Sequence, residues 1–241
     1  MTIEQFNQQW EAFKYQSVAD GRFTPSPGDW NQIFDDDRPS HDEKDFSFDY
    51  WVHCSWAARK VAEFAGRSRP SVSHMRTAFH HYDFGSYAYF AGIVSAFVPD
   101  LTFVDIRGLP GTFGNMHNLR GDLTAIPLPD GSVESVSSLH VLEHVGLGRY
   151  GDKIDASGDL KAAAELTRIL APGGQLIMVL PMNENPRVTF NSDRYFSLEM
   201  VRQMFSSLKL SESQFIAAGS LRDSIPTTRG EHYTGCFVFT K

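Results

Sequence analysis

Glu143 and His144 stand at the end of a β-type run, Val133 to Leu142, and a loop with glycines at 146, 148 and 151 follows at once. An imidazole there could take a proton from a reacting hydroxyl, since an unperturbed histidine titrates near neutral pH. Equally, Glu143 could hold the loop's amides and His144 could simply pack. Arg149, Tyr150 and Asp152 crowd the same edge. Arg149 could clamp a carboxylate or phosphate, or pair with Asp152 or Asp155. Asn191, Asp193, Arg194 and Tyr195 follow the next strand and are expected to complete a lid or substrate pocket. His140 to His144 also spells the H-x-x-E-H pattern of a zinc peptidase class. Four residues of strand span about 13 Å, too far for two histidines to share one zinc ion, so no metal is expected.

Three further carboxylates fall at similar places. Asp83 begins Asp83-Phe84-Gly85-Ser86 after a short strand, Asp105 closes the strand Leu101–Ile106, and Asp122 follows Gly121 after a weak strand near 117–120. Asp105 could accept a pair of vicinal hydroxyls, or form a solvated pair with Arg107. His80 and His81 are read as part of the first strand. The triplet Asp35-Asp36-Asp37 is read as a solvated loop, because the alternation of a calcium loop is absent.

The elements that must position these residues can be read from periodicity. Residues 3–16 and 49–65 carry helical patterns. From residue 79 strands and helices alternate: strands at 79–84, 101–106, 133–142 and 175–180, helices at 87–98, 159–170 and 197–205. Pro172-Gly173-Gly174 is expected to stop the second of these helices, and Ser197 to cap the third. Two last strands, 208–217 and 233–240, are expected to be antiparallel neighbours. This order predicts a doubly wound α/β sheet. Its ligands bind outside the carboxyl ends of the strands, where Glu143 and His144 fall. Residues 1–78 are expected to form a helical N-terminal cap without a strand, and 79–241 the sheet domain.

With 241 residues and 41% hydrophobic composition, one large core can form. A net charge of −7 argues against a nucleic-acid or anionic-membrane surface. Cys54 and Cys236 suggest neither a disulfide framework nor a zinc site. The polar start and the lack of a long apolar run fit a soluble, cytoplasmic protein. Oligomeric state is not legible.

In sequence order these signals resemble the class I S-adenosylmethionine-dependent methyltransferases. DFGS matches the end of that superfamily's first strand, FVDIR its second, and GD before LTAIPLPDGSVESV its third acid. LHVLEHV and ELTRILAPGGQLIMVLP resemble its fourth strand, next helix, glycine turn and fifth strand, and RYFSLEMVRQMF the helix beyond. EHVGLGRYGDKIDASGDL is similar to a smaller, poorly characterised methyltransferase-like family. The resemblance implies a mostly parallel, seven-stranded Rossmann-like sheet that binds S-adenosylmethionine. It assigns Asp83, Gly85, Ser86, Asp105, Asp122, Leu123 and His140 to the cofactor. With the residue reading, it assigns His144 and Glu143 to catalysis, and Arg149, Tyr150, Asn191 and Arg194 to the substrate.

The chain departs from the family where the first loop's second and third glycines should be: Tyr87 and Tyr89 stand there. Two functions follow from these readings. One is methyl transfer to a small polar acceptor, such as a sugar or nucleotide-linked metabolite. The other is a non-catalytic protein that keeps the fold and has lost the cofactor, which the tyrosines favour. A dinucleotide oxidoreductase is disfavoured, because a lone Gly85 does not make a pyrophosphate turn.

Overall fold

The computed structural model describes residues 2–28, 48–67, 79–108, 111, 114–226 and 232–241. The acidic triplet 35–37 lies outside them. The chain opens with α1 (Ile3–Asp20), β1 (Thr24–Ser26) and α2 (Phe48–Arg67). Then come β2 (His80–Phe84), α3 (Ala88–Ser95), β3 (Asp100–Asp105), β4 (Met116–Arg120) and β5 (Val133–Leu139). The rest is α4 (Gly158–Ile169), β6 (Leu170–Met182), β7 (Arg187–Thr189), β8 (Asp193–Tyr195), α5 (Leu198–Met204), β9 (Lys209–Ala217), β10 (Ser220–Arg222) and β11 (Tyr233–Thr240).

The main sheet runs β10-β9-β11-β6-β5-β2-β3-β4. Its five strands from β6 to β4 are parallel, and β11, β9 and β10 add antiparallel pairs. Parallel strands covered on both faces need apolar side chains on both. β6 supplies them alternately. Ile177 and Val179 join Trp56 and Val61 of α2, Phe90 and Val94 of α3, and Phe103 on one face. Leu176, Met178 and Leu180 join Leu166 and Ile169 of α4, Val201, Phe205 and Phe237 on the other. Strand order reverses between β5 and β2, the position at which open sheets bind ligands.

Several expectations are corrected here. Among the described residues the sheet has eight strands, where seven were expected. The amino-terminal segment does add a strand: β1 pairs parallel with β7, which pairs antiparallel with β8, in a separate three-stranded sheet. Three-residue strands are too short to show a period in sequence. Pro172-Gly173-Gly174 follows the end of α4, as expected. The helix ends at Ile169, and Leu170 already pairs with Val133, the register shifting before Ser135. β5 stops at Leu139, because His140 takes a left-handed backbone conformation with φ 55°. α2, expected in a cap, packs on one face of the sheet. Ser197 caps α5 as expected, accepting from the Met200 amide. No described helix is long and apolar enough to cross a membrane.

Candidate functional site

A cavity of about 630 Å³ opens at the carboxyl ends of β2, β3 and β5. Small-molecule sites occupy about 300–1,000 Å³, so an adenosine-sized ligand has room. Gly85, Asp105, Asp122 and Leu123 line it together with His140, Glu143, His144, Arg149 and Tyr150. The parallel register brings the acids together: Asp83 lies beside Phe103, and Asp105 beside Arg120. Tyr87 and Tyr89 join the wall without closing the space. Their rings lie 4.4 Å apart, and Tyr87 meets Tyr50 edge-on at 5.4 Å.

Asp83 and Ser86, assigned to the cofactor, do not reach the cavity. Both are fully buried. Asp83 accepts from the Ser86 amide (3.2 Å), the Ser86 hydroxyl (2.7 Å) and the Ser137 hydroxyl. Ser137 gives its one proton to Asp83, so it accepts from His81 Nε2. His81 Nδ1 then accepts from Ser135. This wiring fixes the loop from below, and Ser86 Oγ accepts the Leu139 amide of β5.

Burial pushes Asp83 up to about 7 against its hydrogen bonds. Burial pushes His81 down to about 3. The consequences for stability have opposite signs. Between the ordinary carboxyl value of 3.8 and about 7, folded Asp83 holds more proton than the unfolded chain, so rising pH removes stability. Between about 3 and 6.5, folded His81 holds less, so rising pH adds stability. The two offset each other where the windows overlap. Asp83→Asn should expose the histidine, making the variant's stability climb relative to wild type by up to about 1.4 kcal/mol per pH unit. Urea midpoints at pH 4.5 and 6.5 check this, and parallel pH profiles for the two proteins would refute it.

Asp105 is held, but not by the solvated pair considered from sequence. Its carboxylate accepts from the Arg107 amide (2.7 Å), Nε (3.0 Å) and a terminal guanidinium nitrogen (3.0 Å), with both side chains largely buried. The Arg107 guanidinium covers the Tyr150 ring at 4.5 Å. Asp122 turns one oxygen to the Thr124 amide and hydroxyl.

After His140 the chain makes a short 3-10 turn, Leu142–His144. The histidines are therefore not spread along a strand, and the spacing used to dismiss zinc does not apply. They flank Glu143 instead: Oε1 lies 2.7 Å from His140 Nδ1 and 3.8 Å from His144 Nε2. Among the described residues no group of three His, Cys, Asp or Glu is arranged to hold a metal. Burial opposes the charge on Glu143, yet His140 and His144 hold it below the usual carboxylate value. His144 Nδ1 donates to the Ser192 carbonyl (2.7 Å), and burial lowers its pKa to about 4. Arg149 approaches the same carbonyl at 3.2 Å. Asp152 does not pair with Arg149 but gathers the amides of Gly146, Gly148 and Tyr150.

Two substrate assignments are corrected. Arg194 is fully buried and absent from the wall. It donates to the carbonyls of Glu143, Val145, Asp155 and Ala156 and thereby holds the loop. Alternation on β8 puts its neighbours Asp193 and Tyr195 in the cavity instead. Asn191 is buried at a left-handed turn, φ 63°, and also lies outside the wall. Asp49, Tyr50, His232, Tyr233 and Thr234 complete the wall and went unrecognised in sequence. Tyr50 stacks on His140 at 4.9 Å, but in sequence it looked like one more apolar position of a helix.

Five parallel strands ordered β6-β5-β2-β3-β4, an antiparallel β11 beside them with β9 running parallel to the five beyond it, and a cavity at the strand tips define the class I methyltransferase fold. Residues 130–216 match the family described as Caenorhabditis protein of unknown function, DUF268. No curated protein matches the chain. Among solved structures, a putative sarcosine dimethylglycine methyltransferase from Galdieria sulphuraria is 16% identical with a TM-score of 0.56, over 78% of this chain and 85% of that one. The N-methyltransferase NodS from Bradyrhizobium japonicum WM9, in complex with S-adenosyl-L-homocysteine, is 12% identical with a TM-score of 0.52, over 96% and 97%. The cyclase SpnF gives 12% and 0.52, over 97% and 93%. Such likeness establishes the fold, and the cyclase among these neighbours illustrates that the fold alone does not choose the reaction.

Proposed function

We propose that this protein transfers a methyl group from S-adenosylmethionine to a small polar acceptor, such as a sugar or nucleotide-linked metabolite. One observation carries the reading: the single cavity joins Asp105, Asp122 and Leu123 to Glu143, His144 and Arg149. The first group suits a nucleoside, and the second an acceptor. The cofactor, when bound, supplies an electrophilic methyl on a sulfonium sulfur. Asp105 would hold it through a ribose hydroxyl. Three donors fix this carboxylate in place, and a carboxylate has about four lone-pair sites, so capacity for about one further donor remains. Leu123 offers an apolar surface, and the turn after β2 requires glycine at position 85. At Gly85, φ is 71° and a Cβ would meet Val141 at 3.0 Å.

On the acceptor side, Glu143 and His144 are fixed by their neighbours, so positioning requires little reorganisation. Tyr150 is gripped by Arg107 and Arg149, whose guanidinium centres lie 4.5 and 5.3 Å from its ring. The buried free thiols of Cys54 and Cys236 suit a reducing, cytoplasmic setting.

Asp105→Ala should weaken S-adenosylhomocysteine binding by about 1–3 kcal/mol, the range for leaving such hydrogen bonds unmade. Calorimetry measures it. Wild-type and variant titrations that superimpose would take Asp105 out of the site. A wild-type protein giving no heat with either S-adenosylmethionine or S-adenosylhomocysteine would sink the reading.

A further inference from the structure

We propose that the atom methylated is an amine nitrogen, received by Glu143 Oε2; this rests on the methyl-transfer reading above. Glu143 is 1% exposed yet forms part of the cavity wall. Its Oε1 is served by His140, whereas Oε2 has no hydrogen-bond partner among the described residues. A buried carboxylate oxygen without a donor is costly unless a ligand supplies one.

The surroundings select a donor that is, or becomes, cationic. Asp193 adds a further carboxylate to the same wall, close enough to feel the charge of Glu143. Arg107 is bound to Asp105, and Arg149 points to the Ser192 carbonyl. Six of the chain's eight tyrosines, Tyr50, Tyr87, Tyr89, Tyr150, Tyr195 and Tyr233, line the cavity. Aromatic faces attract a cation.

A hydroxyl acceptor would need a base to take its proton during attack. His144 has its Nδ1 tied to Ser192 and titrates near 4, and Glu143 is held low by its histidines, so both are weak bases. An amine needs none. The neutral amine donates one N–H to Glu143 Oε2 and directs its lone pair at the methyl carbon. The new N–C bond forms as the C–S bond breaks, and the C–S electron pair stays on sulfur, which becomes a neutral thioether. The positive charge passes to nitrogen beside Glu143, which stabilises it as it develops. The extra proton leaves to solvent with the product.

Binding to the full chain saturated with S-adenosylhomocysteine tests this apart from turnover. The probes are the matched pairs ethanolamine and ethylene glycol, and glucosamine and glucose. Wild-type uptake of S-adenosylhomocysteine is measured first. Its absence would defeat the methyl-transfer reading itself before any amine is added. Given that uptake, calorimetry and thermal shift should show an amine binding at least about tenfold tighter than its hydroxyl partner, a difference of about 1.4 kcal/mol. Glu143→Gln should abolish the preference and Asp193→Asn should reduce it. Equal binding within each pair, a preference surviving both substitutions, or no amine binding at all would overturn the assignment. With labelled S-adenosylmethionine the methyl group should be recovered on nitrogen, and recovery on oxygen would overturn it as well.

Discussion

Arg194→Ala is expected to destabilise the protein by about 3–5 kcal/mol, the usual consequence of breaking a buried ionic network from one side. The guanidinium is fully buried and donates to four carbonyls, the shortest bond being 2.7 Å to Val145. Those carbonyls belong to residues 143–156. Alanine would remove the donor from the Glu143 and Val145 carbonyls, whereas Asp155 keeps the Gly158 amide and Ala156 keeps Arg22. Asp159, 3.8 Å from Arg194 Nε, would keep its bidentate bond from Arg22 at 2.8 and 3.0 Å, which favours the lower end of the range. Lysine should rescue little, because an ammonium cannot span four carbonyls as a planar fork does. Urea denaturation measures the effect, and a change below about 1 kcal/mol, the level of an exposed ion pair, would contradict the role. Glu143 contributes one of the four carbonyls, so the acceptor wall should loosen as well.

Gly146→Ala should be nearly as damaging, through sterics. At Gly146 φ is 83°, and an added Cβ would lie 2.0 Å from the Asp155 carbonyl oxygen. Left-handed backbone costs about 1–2 kcal/mol for an alanine, and overpacking adds about 1–3 kcal/mol. The sum, about 2–5 kcal/mol, should appear in the denaturation midpoint. Gly151→Ala is the control: φ is 76°, but nothing lies within 4 Å of its Cβ, so only the backbone contribution applies. If the two substitutions were equally destabilising, the contact with Asp155 would have no energetic weight.

Much of the fold was legible because period and punctuation carry it. β11 spans Tyr233–Thr240 and α5 begins after Ser197, both as read. The carboxyl-end location of Asp105, Asp122 and Glu143 followed from acids placed at, or a few residues after, the ends of strands. Features that needed distant pairing were not legible. β1 exists only against β7, more than 160 residues along the chain. Tyr50 enters the cavity only because α2 lies across the sheet.

The chain's own order of residues determined that a series of acids would gather at one end of a parallel sheet, because strand direction and crossover hand leave little choice. Which of those side chains meets a ligand was decided by tertiary structure. Asp83 and Asp105 end neighbouring strands, yet the first is enclosed by Ser86, Ser137 and His81, and the second faces the cavity. Arg194 and Asp193 are adjacent in sequence and point to opposite sides of β8. The physical reason is that facing depends on hydrogen-bond register and on what packs above, and one residue of shift exchanges interior for cavity.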